Sequence, residues 1–386
     1  MSYPLEDSTM GNLLEMIYEQ GFSGMSQAMQ ILMNEAMKVE RARYLKANPY
    51  ERSPDRSDYS NGFKPKTVTT RVGALKLQIP QVRSCDFYPE SLDRGMRSEQ
   101  ALRLAVAEMY IQGVSTRKVK EITQVLCGTE ISSSEVSRAM QLLDQEQEQW
   151  RKRPLGRYKY LIVDAIYEKV RRDGCVVDAA VLIAYGISPE GKREVLGVSV
   201  SLSECEVHWR VFFESLVERG LHGLEMITSD AHSGLKSARK AVFPSVPWQR
   251  CQFHLQQNAS SHVTKKVNKG AVATDIRSIL NAPNRVEADR LLNLTIQKYK
   301  ESESKLANWM EENVSQSLAV FSLPEAHQKK MRTSNMAERV NKEIRRRTRV
   351  VSIFPNEASC LRLITAVLAE THDEWIGAKT YLNINC

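Results

Sequence analysis

No stretch of this chain is apolar for long enough to cross a bilayer, which excludes a membrane-spanning helix and sets aside any membrane partner. The opening residues, Met1-Ser2-Tyr3-Pro4-Leu5-Glu6-Asp7, have neither a basic start nor an apolar core, so no secretory signal is read there. Cysteine is sparse: seven residues, an odd number, with none in a Cys-x-x-Cys pair. That pattern disfavours a disulfide framework and points to a reduced, cytoplasmic setting.

What is present points to a basic, multidomain protein. A length of 386 residues suggests two or three domains, and 42% hydrophobic residues suffice for sizeable cores. Lys and Arg outnumber Asp and Glu, 54 to 46, for a net charge of +8. The isoelectric point lies near 9.0. An anionic partner follows most simply, and double-stranded DNA is the obvious candidate.

The chain divides by composition. Residues 1–48 form a helical segment, with Leu13, Leu14, Ile17 and Tyr18 and then Met29, Leu32, Met33 and Met37 at helical spacing. Residues 49–97 open as a basic arm carrying Arg52, Arg56, Lys64 and Lys66. They continue into a β-hairpin, where Val68, Val72, Leu75, Leu77 and Ile79 alternate about Gly73. Residues 98–153 read as three short helices. Ser115 is the expected cap of the second, Gly128 its stop, and Ser132-x-x-Glu135 the capping box of the third. Such a set suits either a helix-turn-helix-like DNA reader, with Arg117, Lys118 and Lys120 facing phosphate, or a purely structural bundle.

Residues 154–254 change character. Strands are expected at Lys159–Ile166, Cys175–Tyr185 and Glu194–Leu202, joined by short turns into an antiparallel meander. A helix over Val207–Arg219, a strand at Glu225–Thr228, a helix over Leu235–Val242 and a strand at Val246–Cys251 follow. Residues 255–328 read as a helical insert before a last segment, 329–386. The fold class expected is α/β: a ribonuclease-H-like catalytic domain interrupted by a helical insert, preceded by mainly helical DNA-binding domains with a small β-hairpin.

Two acids gain meaning in that order. Asp164 falls within the first strand and Asp230 at the end of the fourth, strands that are neighbours in such a sheet. Glu338 stands on a helical segment, Asn335 to Arg349, where Glu338, Lys342, Arg345 and Arg349 share one face and Ala337, Val340 and Ile344 lie opposite. Converging carboxylates repel one another unless a divalent cation neutralises them, and a basic ladder suits a phosphate backbone. Taken singly, each signal has a plain alternative: a strand-end pair for Asp164, a helix cap for Asp230, and a solvated ion-paired face around Glu338.

Several segments together resemble the bacterial mutator-type insertion-sequence transposases, a branch of the DDE superfamily. They are Ala107 to Val119, Val163-Asp164-Ala165-Ile166-Tyr167-Glu168-Lys169-Val170-Arg171, Ser229-Asp230-Ala231-His232-Ser233-Gly234-Leu235, Gln249-Arg250-Cys251-Gln252-Phe253-His254, and Arg332 through Arg349. The resemblance implies that Asp164, Asp230 and Glu338 are a catalytic triad binding Mg²⁺, with Mn²⁺ as a substitute. It implies that Arg345 fills the basic position after the glutamate and that Cys251 and His254 form a Cys-x-x-His signature. It implies a DNA transposase that binds terminal inverted repeats, frees a 3′-OH and joins it to target DNA. The expected state is a homodimer, cytoplasmic and nucleoid-associated when bound to DNA. Lys342, Arg346 and Arg349 join Arg345 as expected DNA contacts, and Asn335 and Trp209 join Cys251 and His254 as expected support for the site.

Some readings stay open at this level. Cys205-x-x-His208 repeats the spacing of Cys251-x-x-His254, so a four-ligand zinc site is conceivable beside the simpler reading of a buried thiol and a hydrogen-bonded imidazole. Trp209 is either core or a wedge at splayed DNA ends. Arg345-Arg346-Arg347 reads as phosphate contact or as a targeting signal. A ribonuclease-H-like nuclease without strand transfer, and a non-catalytic sequence-specific DNA-binding regulator, are the competing functions.

Overall fold

Contacts divide the chain into two units, residues 1–142 and 143–386. A computed structural model describes residues 7–384, with residues 85, 93, 96, 97, 129 and 142 excepted. The first six residues, on which most of the signal reading rests, lie outside that set. No helix among the described residues is long and apolar enough to cross a membrane.

The first unit opens with α1 (Asp7–Gln20) and α2 (Met25–Leu45). A hairpin of β1 (Ser60–Thr70) and β2 (Gly73–Val82) follows, turning at Arg71-Val72. Gly73 has φ +116°, a left-handed value that favours glycine. α2 lies against β2, where Gln30 and Asn34 accept from the Lys76 and Gln78 backbone N–H groups at 2.9 and 2.8 Å. One helical turn on α2 thus matches one two-residue repeat of the strand and closes that sheet edge. Met37, Val68, Leu75, Leu77, Ile79 and Leu92 form the core beneath.

The three expected helices are α3 (Gln100–Ile111), α4 (Thr116–Cys127) and α5 (Ser133–Gln141). The Ser115 hydroxyl accepts from the Lys118 N–H at 3.3 Å, and Gly128 ends α4 in the left-handed conformation. Ser132 and Glu135 complete the reciprocal capping box, with contacts of 2.8 and 3.3 Å. Val119 is buried while Arg117, Lys118 and Lys120 are exposed, so α4 turns its cations outward.

The second unit begins with α6 (Asp144–Lys152), which composition groups with the preceding helices. α6 packs instead on the C-terminal α15 (Glu357–Gly377), held by Arg362 to Asp144 and by the Trp150 ring against His372. The meander is β3 (Tyr160–Arg172), β4 (Cys175–Ile187) and β5 (Arg193–Ser201). Then come α7 (Glu206–Glu218), β6 (Met226–Ser229), α8 (Ser233–Val242) and β7 (Trp248–Arg250). The sheet order is β5-β4-β3-β6-β7. β3, β4 and β5 pair antiparallel, while β6 and β7 add on in parallel beside β3.

Alternation along β3 assigns its two faces. Leu161 and Val163 join Trp209, Phe213, Ile227 and Leu235 in the core under α7 and α8. The even positions face the other way, toward α14 (Asn335–Thr348) and α15. Between β7 and α14 lie α9 (Gln252–Ser261), α10 (Lys269–Leu280), α11 (Arg285–Tyr299), α12 (Ser304–Asn313) and α13 (Glu325–Met331). α9 to α12 enclose a core of their own, including Leu255, Ile276, Leu306 and Met310.

Candidate active site

The parallel pairing of β3 with β6 relates the positions of the first two acids. The register runs Tyr160 opposite Met226, Leu161 opposite Ile227 and Ile162 opposite Thr228. Asp164 lies two residues beyond the last of these pairs on β3, and Asp230 directly follows the end of β6, so both acids stand past the same end of the paired segment. The electrostatics agree. Burial pushes the Asp164 carboxyl up to about 6, and the Asp230 charge adds to the rise, while His254 and Asn341 oppose it. Asp230 turns one oxygen onto the Ala231 N–H at 2.6 Å.

Glu338 arrives on α14. That helix is amphipathic along its whole length: Ala337, Val340, Asn341, Ile344 and Thr348 are buried, whereas Lys342, Arg345 and Arg349 are exposed. Two contacts fix it across β3. Asn341 donates to Asp164 at 2.7 Å, and the Thr348 hydroxyl donates to Glu168 at 2.9 Å. A step of four residues on the strand matches seven on the helix, so α14 ascends with β3. Glu338 itself keeps one carboxylate oxygen buried without a hydrogen-bond partner.

A third anchor lies at the start of α14. The Ser334 N–H and hydroxyl both donate to the Cys251 sulfur, at 3.4 and 3.3 Å. Cys251 is buried at the end of β7 and His254 follows one turn later on α9. Burial pushes the Cys251 thiol up, but hydrogen bonding from His254 and Ser334 outweighs it, and the net shift is downward. Cys251 in turn raises His254 to about 9 against the cost of burial, with Asp230 and Asp164 adding to the rise. The Nδ1 of His254 is buried without a partner in hydrogen-bonding geometry. The two aspartates thus act electrostatically on this imidazole.

The remaining expected residues separate by environment. Lys342, Arg345 and Arg349 form the exposed cationic edge of α14, and Arg345 also acts on the Glu168 carboxylate. Arg346 is exposed but bonded to Glu343 at 2.8 and 2.9 Å. Arg347, which the sequence groups with that run, is buried between Glu343 and Glu370 and offers nothing to phosphate. On α4, Arg117 and Lys120 pair with Glu121 and Glu130, at 3.5 and 2.7 Å. Asn335 is exposed at the first position of α14, and the anchoring falls to Ser334. Trp209 is wholly buried against Phe212 and Phe213, which corrects its expected place in the site: it is core, with no surface to wedge into DNA.

Two residues were not anticipated. Asn341 is the direct partner of Asp164. Arg250, nearly fully buried, bonds Asn313 at 2.7 Å and acts electrostatically on Asp230. Asn341 does leave a trace in the sequence, as the one amide in the stripe Ala337, Asn341, Ile344, Thr348.

Among the described residues, no three His, Cys, Asp or Glu side chains stand together as a metal-holding group. Cys205 is exposed at the start of α7 with His208 at 3.3 Å, and Cys251 is buried, so no four-ligand thiol–imidazole site forms. One observation nonetheless fits a hard divalent cation: a buried Glu338 oxygen that meets no donor, on the helix that Asn341 ties to Asp164.

A family model described as transposase, Mutator family, matches residues 9–378. The chain is 55% identical over 380 residues to the transposase for insertion sequence element IS406 of Burkholderia multivorans, covering 97% of this chain and 98% of that protein. It is 42% identical to the transposase for ISRM5 of Rhizobium meliloti, over 94% of this chain and 91% of that protein. It is 38% identical to the transposase for IS256 in transposon Tn4001 of Staphylococcus aureus, covering 92% of each.

Proposed function

Because the chain belongs to the Mutator family of transposases, we propose that it cleaves DNA at the ends of an insertion sequence to free a 3′-OH and joins that hydroxyl to target DNA at the same site. The observation that carries this reading is the seating of α14 on β3. The Asn341 contact to Asp164 ties to β3 the helix that carries Glu338 and the exposed Lys342, Arg345 and Arg349, which supports a site shared by Asp164, Asp230 and Glu338.

The sheet order, an antiparallel meander extended by two parallel strands, supports a ribonuclease-H-like catalytic domain over 154–254 and 329–386, with 255–328 as its insert. Residues 1–142 then supply the grip on terminal repeats, through the helical segment, the arm with its hairpin, and the outward cations of α4. Two ends must be processed together, so a homodimer is expected. A protein bound this way is nucleoid-associated.

In this reading Asp164, Asp230 and Glu338 hold Mg²⁺, or Mn²⁺ in its place, which when bound polarises phosphate oxygens and lowers the pKa of attacking water. The chain's own groups do the rest. Lys342, Arg345 and Arg349 bind backbone phosphates as point charges and forks. His254 favours the charged form of Asp164 electrostatically. Ser334 and Cys251 fix the start of α14, so that Glu338 keeps its height above β3.

The test is incubation of the protein with Mg²⁺ or Mn²⁺ and DNA carrying the flanking repeats, with products mapped to the nucleotide. Cuts at the repeat ends and joining of pre-cut ends to a second duplex are expected. Cutting without joining would favour a nuclease, and binding with neither would favour a regulator.

A further inference from the structure

The buried stripe of α14 holds one side chain that packing does not explain. Asn341 is 7% exposed, between apolar neighbours, where Thr348 on the same stripe has its hydroxyl satisfied by Glu168. A carboxylate only accepts, so the amide nitrogen must face Asp164. The amide oxygen is thereby turned away from Asp164, and it is buried without a donor. One turn earlier on the same face, a Glu338 oxygen is buried without a donor as well. Both atoms are acceptors, so neither can satisfy the other. Unmatched buried acceptors are costly. Two of them one turn apart, on the helix that Asn341 ties to Asp164, describe a place for a cation, and an asparagine oxygen is an ordinary ligand of hard divalent ions.

We propose that Asn341 is a positioning residue of the cleavage site, whose Nδ2 orients the Asp164 carboxylate while its Oδ1 joins Glu338 as an oxygen donor to the divalent cation. The inference rests on the proposed function, since the cation is the one assigned there to the three acids. It adds a neutral fourth residue, and a reason for a polar side chain in an apolar stripe: the two ends of one amide tie the strand acid and the helix acid to a common ion.

The test uses the full chain without DNA and Mn²⁺ alone as the probe, counting free ion by its electron paramagnetic resonance signal. Asn341→Leu, of similar volume, should weaken Mn²⁺ binding tenfold or more. A merely structural asparagine would instead lower the metal-free melting temperature and leave Mn²⁺ affinity unmoved, which overturns the proposal. Asn341→Asp supplies a second variant. It keeps an oxygen but sets a negative charge against Asp164, so Mn²⁺ should raise its melting temperature by more than it raises that of the parent; an equal or smaller rise counts against the proposal. Asp164→Asn and Glu338→Gln separate the two levels of inference. If both lose Mn²⁺ while Asn341→Leu binds like the parent, only the role of Asn341 fails. If both bind like the parent, the assignment of the acids fails with it.

Discussion

Asn341 on α14 donates to the Asp164 carboxylate on β3 at 2.7 Å, across 177 residues of chain. The same bond that seats the helix on the sheet in the second unit also completes its candidate site. Burial is the main cause of the rise of Asp164 to about 6. Replacing this acid removes the charge around which the site is built.

Asp164→Asn should therefore reduce repeat-end cleavage by about 10³-fold or more, with DNA affinity changed by less than about threefold. Parallel cleavage and gel-shift titrations measure both. Cleavage that persists at the parental rate would exclude Asp164 from the chemistry.

The cations of α14 should divide by burial. Arg345→Ala and Arg349→Ala remove exposed charges, so each should weaken binding to all DNA sequences alike and reduce the salt slope by about 1 for each phosphate no longer neutralised. Arg347→Ala should leave the salt slope alone. It removes a buried partner from Glu343, which Arg346 still holds, and from Glu370, and both carboxylates are partly exposed, so the expected cost is about 2 kcal/mol of stability rather than the full penalty of a buried pair. Binding isotherms at several salt concentrations, with urea unfolding of the same variants, distinguish the two behaviours.

Much of this arrangement is legible before any coordinates. Local chemistry announces itself: Ser115 caps α4, Gly128 ends it, and Ser132 with Glu135 boxes α5, because each interaction spans only a few residues. The meander is legible from apolar runs and short turns, and the pairing of β3 with β6 from the order of the strands. Side-chain partners distant in sequence are not. Arg347 looks like its neighbours Arg345 and Arg346 until α15 brings Glu370 to it. Trp209 looks equally fit for core or surface until α7 is laid on the sheet. α6 reads as part of the preceding helices because its own composition is polar, and only the bond from Arg362 to Asp144 and the ring of His372 assign it to the second unit.

Gly234 gives a test of how tightly the acid-bearing loop is held. It opens α8 four residues after Asp230, and a Cβ there would lie 2.2 Å from the Glu204 carbonyl oxygen and 2.8 Å from two further backbone atoms. Backbone cannot swing aside as a side chain can, so the start of α8 would have to shift. Gly234→Ala should cost about 2 kcal/mol or more and reduce cleavage as well, by displacing Asp230. Parental stability and activity in this variant would mean that the loop tolerates a shift that such close packing forbids.

His372 should give stability a pH dependence of definite sign. It is 6% exposed, and its Nδ1 accepts the Val195 N–H at 3.3 Å, a bond that only the unprotonated nitrogen can make. Burial first, and then the nearby Arg153, lower its pKa to about 4 against a smaller opposing effect of Asp373. The unfolded chain, with an ordinary histidine near 6.5, binds this proton first as pH falls. Between about 6.5 and about 4 the unfolded state therefore carries more protons, and stability declines with falling pH across that window. Above it the contribution is fully present. The decline should amount to about 2–3 kcal/mol for this one group. Carboxylates titrate in the same range, so the informative quantity is a difference: urea midpoints of the parent and of His372→Gln at pH 7.5 and pH 5. The parent should lose more stability than the variant between the two conditions, and equal losses would show that the imidazole titrates alike in the folded and unfolded states.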